Sequence, residues 1–82
     1  MDKESIRQII AGSAKLKVDI STLGDDSNLY DAGLTSLNTV NLMLAIEDQF
    51  DIEFDDDSLN RETFKSVNSL ARVVHGLRDA AA

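Results

Sequence analysis

Apolar side chains recur at helical spacing in three segments of the chain. The first segment predicts a helix from about Asp2, a candidate N-cap, to about Leu16. Its inward stripe consists of Ile6, Ile9, Ile10 and Ala14. The last segment predicts a helix that begins at Ser66, which is again a candidate N-cap. Its inward stripe consists of Val67, Leu70, Ala71, Val74 and Leu77.

The middle segment predicts a helix over residues 36–49 with Thr35 as its N-cap. Its buried stripe consists of Leu42, Met43, Ile46 and Phe50. A second side of the same helix carries Leu37, Val40 and Leu44, alongside Asn41, Glu47 and Asp48. Such a helix is more apolar than one core contact requires, and apolar residues rimmed by carboxylates favour a docking surface. Coverage by a neighbouring segment is the alternative, and for Leu37 and Val40 the two interpretations are equally supported.

The segments between the helices lack helical periodicity. Residues 17–35 form a long polar loop, pinned to the core by a few apolar side chains. These are Val18, Ile20, Leu23, Leu29 and Tyr30. Residues 50–54 alternate apolar and polar positions but have no partner strand, which predicts an extended connector with Ile52 and Phe54 inward. A helix of one or two turns follows at about residues 57–62. We therefore expect an all-α fold: one domain, residues 1–82, as a small bundle of three main helices plus one short helix, with a long first loop.

Charge is distributed unevenly along the chain. Ten acidic side chains and no Lys or Arg occupy residues 25–57, and the net charge is −7. This stretch would repel nucleic acid and attract a basic protein surface, or it is simply a solvated face. No cysteine is present, and no apolar run is long enough to span a membrane. Because the first residues also lack the apolar stretch of a signal peptide, we expect a cytoplasmic protein. We also expect it to be a monomer.

Residues able to catalyse a reaction are scarce. The one histidine, His75, lies in the last predicted helix, where it is typical of a surface residue. Residues 55–57 are three aspartates, but the glycine of a calcium loop is missing, so a hydrated acidic turn is the better interpretation. Ser36 stands out by position, since a phosphate ester at a helix start meets unpaired amides and the positive end of the helix dipole.

The sequence around Ser36 resembles a known family. The run LYDAGLTSLNTVNL, residues 29–42, is similar to the acyl carrier protein signature, in which the serine accepts 4′-phosphopantetheine. Residues 44–54 and 63–67 resemble the family's second helix with its following loop and the approach to its last helix, so the similarity covers essentially the whole chain. The resemblance implies a non-catalytic carrier of four-helix architecture. A phosphopantetheinyl transferase would modify Ser36, and an acyl cargo would ride on the arm as a thioester.

The resemblance also assigns partner recognition to the second helix, with the docking residues Leu37, Val40, Asn41, Leu44, Glu47 and Asp48. Thr35 stands where the family usually has Asp, and Asn38 and Asn41 replace common acidic residues. These departures favour a specialised carrier over the housekeeping carrier of fatty acid biosynthesis, with an amino-acyl cargo as one option. Expected partners are an acyl or amino-acyl ligase and downstream acyl-transfer enzymes with basic docking patches. The alternatives are an unmodified acidic adaptor for a basic protein and a calcium-responsive bundle that uses the carboxylates of residues 51–57.

Overall fold

The computed structural model describes the backbone of residues 2–81 and the side chains of residues 3–79. Three α-helices make up the bundle: α1 (Asp2–Ser13), α2 (Ser36–Phe50) and α3 (Val67–Ala81). Two short 3-10 turns, Ile20–Thr22 and Asp56–Ser58, lie in the connections. No strand occurs within this described range, and the predicted all-α bundle of three main helices is confirmed.

The apolar stripes of the three helices meet in one core. Helix α1 packs against both α2 and α3. The side chains with no solvent exposure include Ile6, Ile10, Leu29, Leu42, Ile46, Val67, Leu70 and Val74. Each buried aliphatic side chain of this size stabilises the fold by roughly 1.5–3 kcal/mol relative to exposure. The predicted stripes are therefore confirmed, with Ile9, Met43, Phe50 and Leu77 partly buried at the edges.

Two of the three predicted helix caps form. The Thr35 hydroxyl accepts a hydrogen bond from the Asn38 amide at 3.1 Å, and the Ser66 hydroxyl accepts one from the Ser69 amide at 3.1 Å. Helix α3 accordingly begins one residue after its cap, at Val67. The side chain of Asp2, the third predicted cap, lies outside the described residues.

Two predicted helix boundaries are wrong. Helix α1 ends at Ser13 rather than near Leu16, because the chain turns aside and the Lys17 amide donates to the Ala32 carbonyl at 2.8 Å. The short helix predicted at residues 57–62 is instead the 3-10 turn at Asp56–Ser58, followed by irregular turns. Asp55 starts this turn early, since its carboxylate accepts from the Ser58 amide at 2.8 Å.

The long first loop is held by hydrogen bonds as well as by apolar contacts. The buried Leu29 donates its amide to the Lys65 carbonyl at 2.7 Å, which joins the loop to the approach to α3. Arg7 of α1 pairs with Asp25 at 2.6 Å. That hydrogen bond lowers the pKa of the Asp25 carboxyl. The prediction that apolar side chains hold the loop against the core is confirmed for Ile20, Leu23, Leu29 and Tyr30. It is wrong for Val18, which is 46% exposed.

The connector after α2 is extended, as predicted. Asp51 ends the helix in the left-handed region, with φ of 54°. The Glu47 carboxylate then accepts a hydrogen bond from the Phe54 amide at 2.8 Å. Phe54 is buried against Phe64, with ring centroids 5.7 Å apart, and Ile52 is partly buried.

Among residues 2–81, none of the helices combines the length and the apolar character that a membrane span requires.

Candidate functional site

A tight turn at Gly33 positions the start of α2. Gly33 has φ of +113°, a backbone conformation that favours glycine. Its amide donates to the Tyr30 carbonyl at 3.2 Å, and the next amide, that of Leu34, donates to the Leu29 carbonyl at 3.0 Å. A side chain at Gly33 would lie 2.9 Å from the backbone nitrogen of Lys17. The chain entering α2 is therefore closely packed, and the buried Leu34 anchors it two residues before Ser36.

Ser36 is the first residue of α2, and it is exposed. The capping role belongs to Thr35, and within the described part of the chain the Ser36 hydroxyl takes part in no hydrogen bond. At this end of α2 the first-turn amides lack helical partners and the helix dipole is positive. An oxygen that is exposed, unpaired and placed there suits a phosphate ester, so the residues present fit a phosphopantetheine arm.

A groove of about 450 Å³ runs beside Ser36 between α2 and the segment that precedes α3. Its apolar wall is formed by Val40, Met43, Leu59 and Phe64. Tyr30 and Arg61 form part of its rim, with the Arg61 guanidinium 3.8 Å from the centre of the Tyr30 ring. Helical periodicity does not indicate that Tyr30 and Arg61 lie at the groove, because both belong to irregular segments.

The second apolar side of α2 is open to solvent. Leu37, Val40 and Leu44 are 72%, 50% and 54% exposed, so no segment of the described chain covers them. Helical spacing places Asn41 and Asp48 on the same side, and both are exposed. Glu47 lies at the edge of this side and is partly buried, with one carboxylate oxygen bonded to the Phe54 amide. We call Leu37, Val40, Asn41, Leu44 and Asp48 the α2 face.

The other polar candidates have structural contacts. His75 is exposed on α3 and lies 3.5 Å from Asp79 of the same helix. Asp55 caps the turn at Asp56–Ser58. Among the side chains of residues 3–79, no three histidine or acidic groups converge in a geometry suited to a metal ion.

The family comparison agrees with this geometry. Residues 4–74 match the family model described as the phosphopantetheine attachment site. The chain belongs to the acyl carrier protein family. Its cofactor is therefore covalently attached phosphopantetheine, and the protein is a carrier rather than an enzyme.

Similar proteins include aminoacyl carrier proteins and acyl carrier proteins. The aminoacyl carrier protein of Agrobacterium fabrum is 43% identical over 75 residues, covering 92% of this chain and 90% of the relative. A carrier protein from Agrobacterium tumefaciens has been solved with ATP and an engineered Bradyrhizobium japonicum glycine:[carrier protein] ligase. This carrier superposes with a TM-score of 0.88 at 41% identity, covering 92% of this chain and 97% of that one. A holo acyl carrier protein from Nitrosomonas europaea superposes with a TM-score of 0.82 at 30% identity, over 100% and 99% of the two chains.

Proposed function

We propose that the Ser36 hydroxyl bears the 4′-phosphopantetheine arm and that the carrier transports an amino-acyl group, glycine being the first candidate. The observation that carries the proposal is the exposed, unpaired hydroxyl at the start of α2, beside an open groove. When bound, the arm supplies a terminal thiol on which the cargo is held as a thioester. The chain's own contribution is to hold Ser36 in place through the Gly33 turn and the Thr35 cap, and to present the α2 face to partners.

An amino-acyl cargo is supported by the relatives and by the charge of α2. One relative is an aminoacyl carrier protein, and a similar carrier was solved with a glycine:[carrier protein] ligase. Residues 36–46 of α2 contain no charged side chain, so the part of α2 that follows Ser36 offers a partner a neutral surface with exposed apolar side chains. Such a surface suits a dedicated ligase that binds through apolar contacts. The absence of ion pairs costs such a complex little, because an exposed ion pair adds little binding energy. We also expect the carrier to act in the cytoplasm, where ATP is available to a ligase such as the one solved with ATP and the similar carrier.

Attachment of the arm is tested by intact-mass measurement. The unmodified protein is incubated with coenzyme A and a phosphopantetheinyl transferase, and one arm per chain is expected. The Ser36→Ala variant should gain no mass while keeping its helical circular dichroism. Thr35→Ser serves as the control, because it keeps the cap hydroxyl. A wild-type chain that several transferases leave unmodified would favour the unmodified adaptor instead.

The cargo is tested by loading the modified carrier under two conditions. A glycine:[carrier protein] ligase with ATP and glycine should add a glycyl group to most of the chains. An acyl ligase with ATP and a fatty acid should load the same carrier much more slowly. Equal or faster loading with the fatty acid would contradict the amino-acyl proposal but leave the Ser36 attachment intact.

We further assign ligase docking to the α2 face together with the neighbouring Glu47. Replacing Leu44 by Ser removes an exposed apolar side chain and should lower the loading efficiency about tenfold, which corresponds to ~1.4 kcal/mol. Val18→Ser is the matched control, since Val18 is 46% exposed but lies in the first loop. If both variants load equally well, docking does not use this part of α2.

A further inference from the structure

The groove beside Ser36 combines an apolar wall with a single charge. Among the side chains that line it, Arg61 is the one that is charged, and the others are apolar or neutral. The apolar wall includes Met43, Leu59 and Phe64. This arginine is unusual in its sequence context, because the preceding residues 25–60 contain no Lys or Arg.

The charge of Arg61 is not neutralised by a carboxylate partner. None of the ion pairs found among the described side chains includes it. Its guanidinium instead stacks on the Tyr30 ring at 3.8 Å, a contact that holds the cation at the rim without cancelling its charge. Any group that enters the groove from an arm on Ser36 therefore meets a positive rim.

An amino-acyl group carries an ammonium next to its carbonyl, whereas a simple acyl group is uncharged there. Entry of the ammonium is opposed by repulsion from Arg61 and by the loss of water against the apolar wall. An uncharged chain faces neither penalty and gains from burying apolar surface.

We propose that Arg61 makes the groove selective by charge: it keeps an amino-acyl group out in solvent while leaving the groove open to uncharged acyl chains. The inference rests on attachment of the arm at Ser36, as proposed above. Arg61 is thus a specificity-determining residue, and an amino-acyl group held outside the groove stays accessible to its acceptor enzyme.

The test compares two cargos with the same carbon chain, hexanoyl and 2-aminohexanoyl, which differ only in the ammonium. Each is attached through a stable amide to an arm transferred from the corresponding coenzyme A analogue, so that no ligase is needed. Intact mass first verifies that one arm is present. The measured quantity is the chemical shift of the Met43 methyl group, relative to the carrier with an unloaded arm. Met43 reports on the groove because it lines the apolar wall.

In the wild type, hexanoyl should shift the Met43 methyl signal and 2-aminohexanoyl should not. In Arg61→Glu the rim attracts the ammonium, and 2-aminohexanoyl should now shift the signal as well; Arg61→Gln should give an intermediate shift. Arg72→Glu carries the same charge change on α3 at a residue that does not line the groove, and should behave as the wild type.

The proposal is overturned if both cargos shift the Met43 signal equally in the wild type, if neither does, or if Arg61→Glu fails to admit the amino-acyl chain. Absence of an arm in the mass spectrum is a different result, because it contradicts the attachment at Ser36 rather than the selectivity of the groove.

Discussion

Replacing Gly33 by Ala should destabilise the protein strongly, although the change adds a single methyl group. At φ of +113° an alanine is strained by roughly 1–3 kcal/mol. Its Cβ would also lie 2.9 Å from the Lys17 nitrogen, a backbone atom that cannot rotate away. To relieve this contact, the backbone at Gly33 must move away from the backbone at Lys17. That movement weakens the 2.8 Å hydrogen bond from the Lys17 amide to the Ala32 carbonyl and lowers the stability by about 1 kcal/mol more. The expected loss in the free energy of unfolding is about 2–4 kcal/mol.

Urea unfolding followed by helical circular dichroism measures this loss. With a denaturant slope of about 1 kcal/mol per molar, the midpoint should fall by ~2–4 M. The matched control is Gly76→Ala, the same substitution inside α3, where no heavy atom lies within 4 Å of the added carbon. That variant should gain up to about 1 kcal/mol, since alanine is the better helix former. A Gly33→Ala midpoint equal to or above that of the wild type would refute the reasoning about this turn.

Three further substitutions test individual contacts. Glu47→Ala removes the acceptor for the Phe54 amide and should lower the free energy of unfolding in urea by about 1 kcal/mol, whereas Glu47→Gln should lower it less. An Ala variant as stable as the wild type would count against the contact. Ser66→Ala removes the cap of α3 and should lower the free energy of unfolding by roughly 1 kcal/mol in the same measurement. Ser66→Thr keeps a capping hydroxyl and should lose much less stability. Equal losses in the two variants would argue against capping. The hydrogen bond from Arg7 lowers the pKa of the Asp25 carboxyl in the folded protein. The pair therefore stabilises the fold at pH values above the unfolded-state pKa of about 3.9. This stabilisation is lost as the pH falls through the lower pKa of the folded state. Melting curves should show Asp25→Asn less stable than the wild type at neutral pH, with the gap closing in acid; a constant gap would disprove the linkage.

Local spacing was sufficient to predict the three α-helices and their inward faces, although not the end of α1. The stripe that begins at Ile6 and the stripe that begins at Val67 are properties of neighbouring turns, and both are buried as expected. The Thr35 cap was also predictable, because capping depends on a residue and the amide three positions later. The same local rule placed Ser36 at the start of α2.

Features that depend on distant segments were missed. Helix α1 stops early because Lys17 bonds to Ala32, a partner that no periodic pattern indicates. The rim of the groove requires Arg61 to meet Tyr30 across two irregular segments, and neither side chain is marked by spacing. Glu47 was assigned to partner docking by its place on the helix, yet its carboxylate also holds the connector after α2. Such contacts arise only when the chain is folded, so a sequence pattern could not supply them.

The most direct test of the account is the location of the arm on the modified chain. Trypsin cleavage after Lys17 and Arg61 releases a peptide that contains several hydroxyl residues besides Ser36, including Ser27 and Ser58. Fragmentation of this peptide in a mass spectrometer identifies the residue that carries the added mass. We predict that all of the added mass lies on Ser36. An arm found on Ser27, Ser58 or any other residue would contradict the central claim.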